Sequence, residues 1–157
     1  MKGSQAVIDA LNSVLTKELT AINQYFLHSR MLEDWGMSKL AKLEYDASID
    51  EMKHADDLIQ RVLFLEGLPN VQKLDRVLIG TNIEEVIECD LKVENAAVPH
   101  LKDCIELCEK ERDYVSRDLL RTILASEEEH VDWLETQQQL IKKIGVQNFI
   151  QSQMTPN

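Results

Sequence analysis

Two short stretches, 76 residues apart, limit what this 157-residue chain can fold into. Glu51-Met52-Lys53-His54 and Glu127-Glu128-Glu129-His130 each set a Glu and a His three residues apart. On a helix that spacing puts both side chains on one face. A further Glu precedes each stretch by 33 residues, Glu18 before Glu51 and Glu94 before Glu127. The whole set therefore repeats at one offset. Two helical hairpins of this kind offer four carboxylates and two imidazoles.

The hydrophobic periodicity puts these residues inside. A first helix from about residue 5 to a stop at Trp35-Gly36 carries the stripe Leu11, Leu15, Glu18, Ile22, Tyr25. Gly36 ends it, and Ser38 is a fair cap for the next. A second helix, about 38–66, carries Leu43, Ala47, Glu51, His54, Leu58, Val62 and Leu65, and stops at Glu66-Gly67-Leu68-Pro69-Asn70. A third starts at the capping-box pattern Thr81-Asn82-Ile83-Glu84. Its stripe is Ile87, Leu91, Glu94, Val98, Leu101, Ile105, Cys108, and Pro99 is expected to kink it. A fourth, about 113–144, carries Leu120, Ile123, Glu127, His130, Leu134 and Ile141. Gly145 breaks it. Residues 146–151 read as a short fifth helix before a polar tail ending in Pro156-Asn157. The connection over 67–81 holds Val71, Leu74, Val77, Leu78 and Ile79, so it is expected to pack. Its length lets it cross the bundle and make the second and third helices parallel neighbours. The expected fold is all-α, one four-helix domain over 1–157, up-down-down-up, with a long crossover.

Scarce Gly and Pro and few aromatic residues favour long helices over strands. A formal charge of −11 argues against a nucleic-acid binder, which needs a basic footprint, and suits cations or a basic partner. No apolar run is long enough to span a membrane, and residues 1–4 open directly onto an amphipathic pattern. Three cysteines (Cys89, Cys104, Cys108) without a C-x-x-C point to reduced thiols and a cytoplasmic protein. Cys104 and Cys108, four residues apart on a helix, are not placed to form a disulfide.

The chemistry follows from charge. A buried ionised carboxylate is very costly unless paired or bound to a metal. No Lys or Arg falls on the stripes to neutralise four of them. Two divalent cations balance four carboxylates, and neutral imidazoles add nothing. Mixed carboxylate and imidazole ligands suit iron, manganese or zinc. By symmetry Glu51 and Glu127 would bridge, with Glu18 and His54 serving one ion and Glu94 and His130 the other.

Nearly the whole chain resembles bacterioferritin, of the ferritin-like class whose di-metal bundles carry this ligand set. The likeness runs through Leu19–His28, Ser48–Asp56, Phe64–Asn70, Asp113–Asp118 and Trp133–Thr136. It implies a ferritin-like bundle assembled into a hollow cage of about 24 subunits. It implies iron storage and detoxification. It implies an intrasubunit di-iron ferroxidase centre, with Fe2+ oxidised by O2 or H2O2 and stored inside as ferric mineral. It also implies haem b at two-fold interfaces, between a Met of each subunit, assisting iron release. Met52 matches that position and faces away from His54. From the residues alone it is a flexible apolar contact. Ile22, Asn23, Phe26 and Ile49 are expected beside the porphyrin. Expected partners are identical subunits in haem-bridged dimers, a second subunit type, and a small ferredoxin that reduces the core.

Several residues carry two readings. Tyr25, two turns after Glu18, is either an electron donor, as the resemblance implies, or a core Tyr, and Trp133 is in the same position. Tyr45 reads as haem-adjacent packing. The resemblance implies His at 46 with Asp50 as an iron site on the cavity surface. Here Asp46 stands there, so the pair is either a carboxylate path inward or a solvated face. His28 and His100 read as surface or interface residues. Asn148 and Gln151 line a four-fold channel if the resemblance holds. Other classes are a di-iron peroxidase or oxidase of rubrerythrin type, which would normally carry a C-x-x-C module absent here, and a non-catalytic haem-binding cage subunit, which has no need of buried carboxylates.

Overall fold

The computed structural model describes residues 1–154, so the Pro156-Asn157 tail lies outside the described residues. Four long helices, α1 (Gln5–Asp34), α2 (Ser38–Phe64), α3 (Ile83–Lys110) and α4 (Tyr114–Ile144), are followed by α5 (Val146–Gln153). Side-chain pairs fix their directions. Glu18 of α1 meets His54 of α2, and Gly3 bonds Leu65, so α1 and α2 are antiparallel. Ser13 reaches His100 while Gln24 reaches Asp90, so α3 also runs against α1. Arg61 meets Asp113 and His54 meets Glu127, so α4 runs against α2. The bundle is up-down-down-up as expected. However, α2 and α3 lie parallel across the diagonal rather than side by side, because α1 and α4 each pack between them.

Helix ends show where side-chain pattern misleads. The second helix stops at Phe64, and the left-handed residue after it is Glu66 (φ 63°), not Gly67. Gly67 is needed for closeness instead: a Cβ there would lie 2.7 Å from Ile8 Cγ2. Gly36 (φ 87°) does end α1 in the left-handed conformation. Ser38 is not a cap: Met37 precedes α2 without a side-chain bond. The capping box of α3 sits one residue later than its sequence pattern. Asn82 accepts from the Glu85 N–H, and Glu85 reaches back to Thr81. Pro99 lies on the exposed side of α3, which continues through it. On α2 the exposed Leu43 yields the inward position to Glu44.

The crossover is held by hydrogen bonds more than by apolar packing. Val71, Leu74 and Ile79 are exposed. Four side chains of α1 accept its backbone N–H groups instead: Asn12 from Asn70, Thr20 from Asp75, Gln24 from Leu78 and His28 from Gly80. Three of these, Thr20, Gln24 and His28, are one turn apart on α1.

The core is in two parts. One cluster centres on Leu11, Leu15, Leu58, Leu101 and Leu120. The other centres on Leu32, Leu40, Ile87, Leu134 and Phe149, with α5 folded onto it. Buried polar side chains fill the layer between them. Among the described residues no helix is long and apolar enough to cross a membrane.

Gly80 tests the crossover's fit, since an added Cβ would meet the backbone of Glu85 and Val86. Gly80→Ala is expected to destabilise the subunit by about 1–3 kcal/mol, the usual cost of forced overpacking. The check is the denaturation midpoint; an unchanged midpoint would mean that the turn relaxes freely.

Candidate metal centre

Antiparallel packing brings the middles of four helices to one level. Glu18 comes from α1, Glu51 and His54 from α2, Glu94 from α3, and Glu127 and His130 from α4. All four carboxylates are at most 3% exposed. Ligand atoms of Glu18, Glu51, His54 and Glu127 lie within 4.8 Å of one another, and so do those of Glu51, Glu94, Glu127 and His130. Glu51 and Glu127 belong to both groups, the sharing expected from the sequence symmetry.

The six residues satisfy one another incompletely. His54 Nδ1 is 3.4 Å from Glu18, Glu51 and Glu127. His130 Nδ1 is 3.2 Å from Glu94 Oε1, and the Tyr25 hydroxyl donates to the same oxygen. Glu94 Oε2 and His130 Nε2 are buried with no hydrogen-bond partner, and Glu127 Oε1 has only the 3.4 Å approach of His54. Buried polar atoms are rarely left unpaired. Here the atoms left short belong to two carboxylates, from two helices, and an imidazole, a donor set that fits divalent iron, manganese or zinc.

The electrostatics point the same way. Burial pulls the His54 imidazole down, but hydrogen bonds and charge from Glu127 and Glu51 outweigh it and hold His54 at about 10. Burial likewise lowers His130, and Glu94 overrides it to about 9. Burial and the Glu127 carboxylate push Glu94 up to about 8, against the opposing pull of His130. Glu51 and Glu127 are raised, first by burial. Protons on the two imidazoles and on Glu94 thus lower the net charge that the four carboxylates bring together.

The surroundings are specific. The Tyr25 ring is fully buried and meets His130 edge-on at 5.1 Å. Trp133 stacks on the His130 ring at 6.0 Å. A cavity of about 260 Å3 opens between α2 and α4 onto Glu51 and His130, and Asp46, Asp50 and Glu129 line it. Asp46 is exposed and paired with Lys42, and neither Asp46 nor Asp50 joins a cation-sized cluster among the described residues. Met52 is half exposed on the opposite side of α2. Asn23 and Phe26 are exposed too, Ile22 and Ile49 are half-buried, and Arg30 lies over the Phe26 and Tyr45 rings. Asn148 and Gln151 are exposed on α5. All three cysteines are free.

One expectation is overturned. His28 is not a surface residue: it is fully buried, together with Glu44 and Asp90. His100 is half-buried and bonded to Ser13. Glu44 and Asp90 escaped the sequence reading, although their spacing held a signal. Glu44 is two turns before Glu51, and Asp90 is one turn before Glu94.

Fold and centre together define a ferritin-like protein, and residues 8–144 match the family model described as a ferritin-like domain. Full-length relatives narrow this. A bacterioferritin of Brucella melitensis is 49% identical over 99% of this chain and 97% of its own length. A bacterial ferritin of Synechocystis is 46% identical over 99% of this chain and its own full length. A bacterioferritin of Rhodobacter capsulatus is 47% identical over 95% of the chain and 92% of its own length. The chain belongs to the bacterioferritin family.

Cations must displace the protons held at the centre. The affinity of the cation-free protein for Zn2+ is therefore expected to rise with pH through about 8, 9 and 10, the values of Glu94, His130 and His54. Calorimetry in buffers of different ionisation heat should show net proton release. Affinity independent of pH, with no protons released, would contradict this protonation pattern.

Proposed function

We propose that this protein stores iron and oxidises it on entry, with Fe2+ as the substrate of the Glu18–His130 centre. The observation that carries this reading is the pair of overlapping ligand groups that share Glu51 and Glu127. Four carboxylates and two neutral imidazoles take up two Fe2+ with no net charge left in the core. Together the two ions give up two electrons. These reduce O2 to H2O2, or H2O2 to water, with two protons taken up in either case. The protons displaced from His54, His130 and Glu94 are available nearby.

The surroundings suit the same chemistry. Tyr25 fixes the Glu94 oxygen by donating to it and, with Trp133, packs against His130. Both rings are placed to supply an electron when only one iron has reacted. The Asp46, Asp50 and Glu129 carboxylates at the mouth between α2 and α4 raise the local concentration of cations. They give ferric product an acidic route towards mineral in a cage of about 24 identical subunits. Met52 would hold haem b with the Met52 of a second copy, since its thioether is exposed and faces away from the centre. When bound, the haem supplies a one-electron path for reducing and releasing stored iron. A cytoplasmic setting, co-assembly with a second subunit type and reduction by a small ferredoxin complete the reading.

The deciding experiment is stopped-flow absorbance after adding two Fe2+ per subunit in air, with the elution volume measured alongside. A fast ferric phase saturating at two irons, from a cage-sized particle, is expected. An intact cage without that phase would make the chain a haem-binding or structural subunit. A fast phase from a small dimer would favour a di-iron oxidase.

Glu94→Ala should slow the fast phase by more than the ~100-fold typical of losing an outer-shell partner, with the cage intact. An unchanged rate would remove Glu94 from the centre. Met52→Leu should abolish the haem absorbance and leave the fast phase unchanged. Loss of both together would show that the two sites are not separate.

A further inference from the structure

A second acidic cluster lies in the polar layer, beyond Tyr25. His28, Glu44 and Asp90 come from α1, α2 and α3, are at most 1% exposed, and bring ligand atoms within 4.8 Å of one another. By residue type this is a metal site. Both Glu44 oxygens and Asp90 Oδ2 have no hydrogen-bond partner, so the cluster holds something that its heavy atoms alone do not show.

The imidazole decides what. The Gly80 backbone N–H points at His28 Nε2 at 3.0 Å. An amide N–H can only donate, so Nε2 must be the acceptor and Nδ1 must carry the hydrogen. Nδ1–H then donates to Asp90 Oδ1 at 2.9 Å. Gln24 is fixed in the same way: its Oε1 accepts from the Leu78 N–H, and its Nε2 donates to Asp90 Oδ1 at 2.9 Å. The histidine therefore offers no lone pair to the cluster's centre. A cation there would meet two carboxyl groups, short of the four ligands that a zinc-like ion takes.

We propose that the Glu44 and Asp90 carboxyl groups share one proton, forming a buried proton-binding site where their residue types alone suggest a third cation. The Glu44 carboxyl donates to Asp90 Oδ2, which gives two of the three orphaned oxygens a partner. Asp90 then receives N–H groups from Gln24 and His28 and an O–H from Glu44. The groups that face Glu44 are His28 from α1, with Asp90 and, at longer range, Glu94 from α3. Burial and then Asp90 push the Glu44 carboxyl well above the usual range, in agreement. The site does two things. It keeps the cation count of the bundle at two, and through Gln24 and His28 it ties the Leu78 and Gly80 amides of the crossover to α3. The cation count alone rests on the function proposed above.

The test uses assembled protein loaded with Zn2+, which expels the protons of the Glu18–His130 centre. The infrared difference between wild type and Glu44→Gln at neutral pH should show a carboxylic-acid C=O band present only in wild type. Calorimetry should find the same number of Zn2+ per subunit in both. The proposal fails if the zinc-loaded wild type lacks that band, or if it binds one more Zn2+ than Glu44→Gln. If Glu44→Gln does not fold, the wild-type spectrum decides alone, because the other buried carboxylates then hold zinc. Should Zn2+ fail to enter the Glu18–His130 centre, the function proposed above falls, and the difference spectrum still reads Glu44.

Discussion

Four carboxylates buried in a helical bundle without a single Lys or Arg beside them set the terms for the rest of this molecule. Unpaired, each would cost several kcal/mol or more, a large fraction of a domain's net stability. Protons on His54, His130 and Glu94 offset part of that cost. Divalent cations meet it better, because each replaces protons with a charge shared among several oxygens and a nitrogen. The two apolar clusters on either side carry the fold, so the polar layer between them is free to serve the ions.

The polar layer is also where the crossover is tied in. Thr20, Gln24 and His28 line one face of α1, and each takes a backbone N–H from the extended segment. An extended chain lying on a helix has no ladder partner, and its donors must be satisfied by side chains or water. The apolar residues Val71, Leu74 and Ile79 stay on its outer side, available to whatever packs over them. The half-exposed Met52 lies on the outer side of α2, away from the centre. The centre faces the opposite way, through a mouth lined by Asp46 and Asp50. One bundle thus sets the exposed Met52 on one side and the acidic mouth on the other.

The fold, and the gathering of six acidic and imidazole side chains in one layer, were legible in the sequence because each Glu or His interrupts a clean apolar stripe, and because the interruption occurs twice at one offset. The second cluster was not legible, for a physical reason. At 43–44 an apolar and an acidic residue stand side by side, and periodicity selects Leu43. The chain turns Glu44 inward instead, because Asp90 and His28 await it there. His28 looked unpartnered since its partner is a backbone amide from a segment 52 residues away, which no side-chain pattern records. Helix ends misled similarly. Glycine marked the place where backbones approach closely at Gly67, while the left-handed turn fell on Glu66.

Two clusters of acid and imidazole sit in one layer, built from the same residue types and buried alike. What separates them is the second nitrogen of the histidine. At the centre, His130 Nδ1 faces Glu94 and Nε2 behind it has no partner, so the hydrogen can sit on Nε2 and leave Nδ1 a lone pair for an ion. At the second cluster, His28 Nε2 is taken by the Gly80 amide, so the ring turns an N–H towards the carboxylate and acts as a donor. A lone pair facing the carboxylates makes a cation site, and an N–H facing them makes a proton site. The choice is made by backbone reaching in from the crossover, outside both clusters. Residue type and burial therefore do not suffice to assign such a layer; the hydrogen-bond partner on the far side of each ring has to be known first.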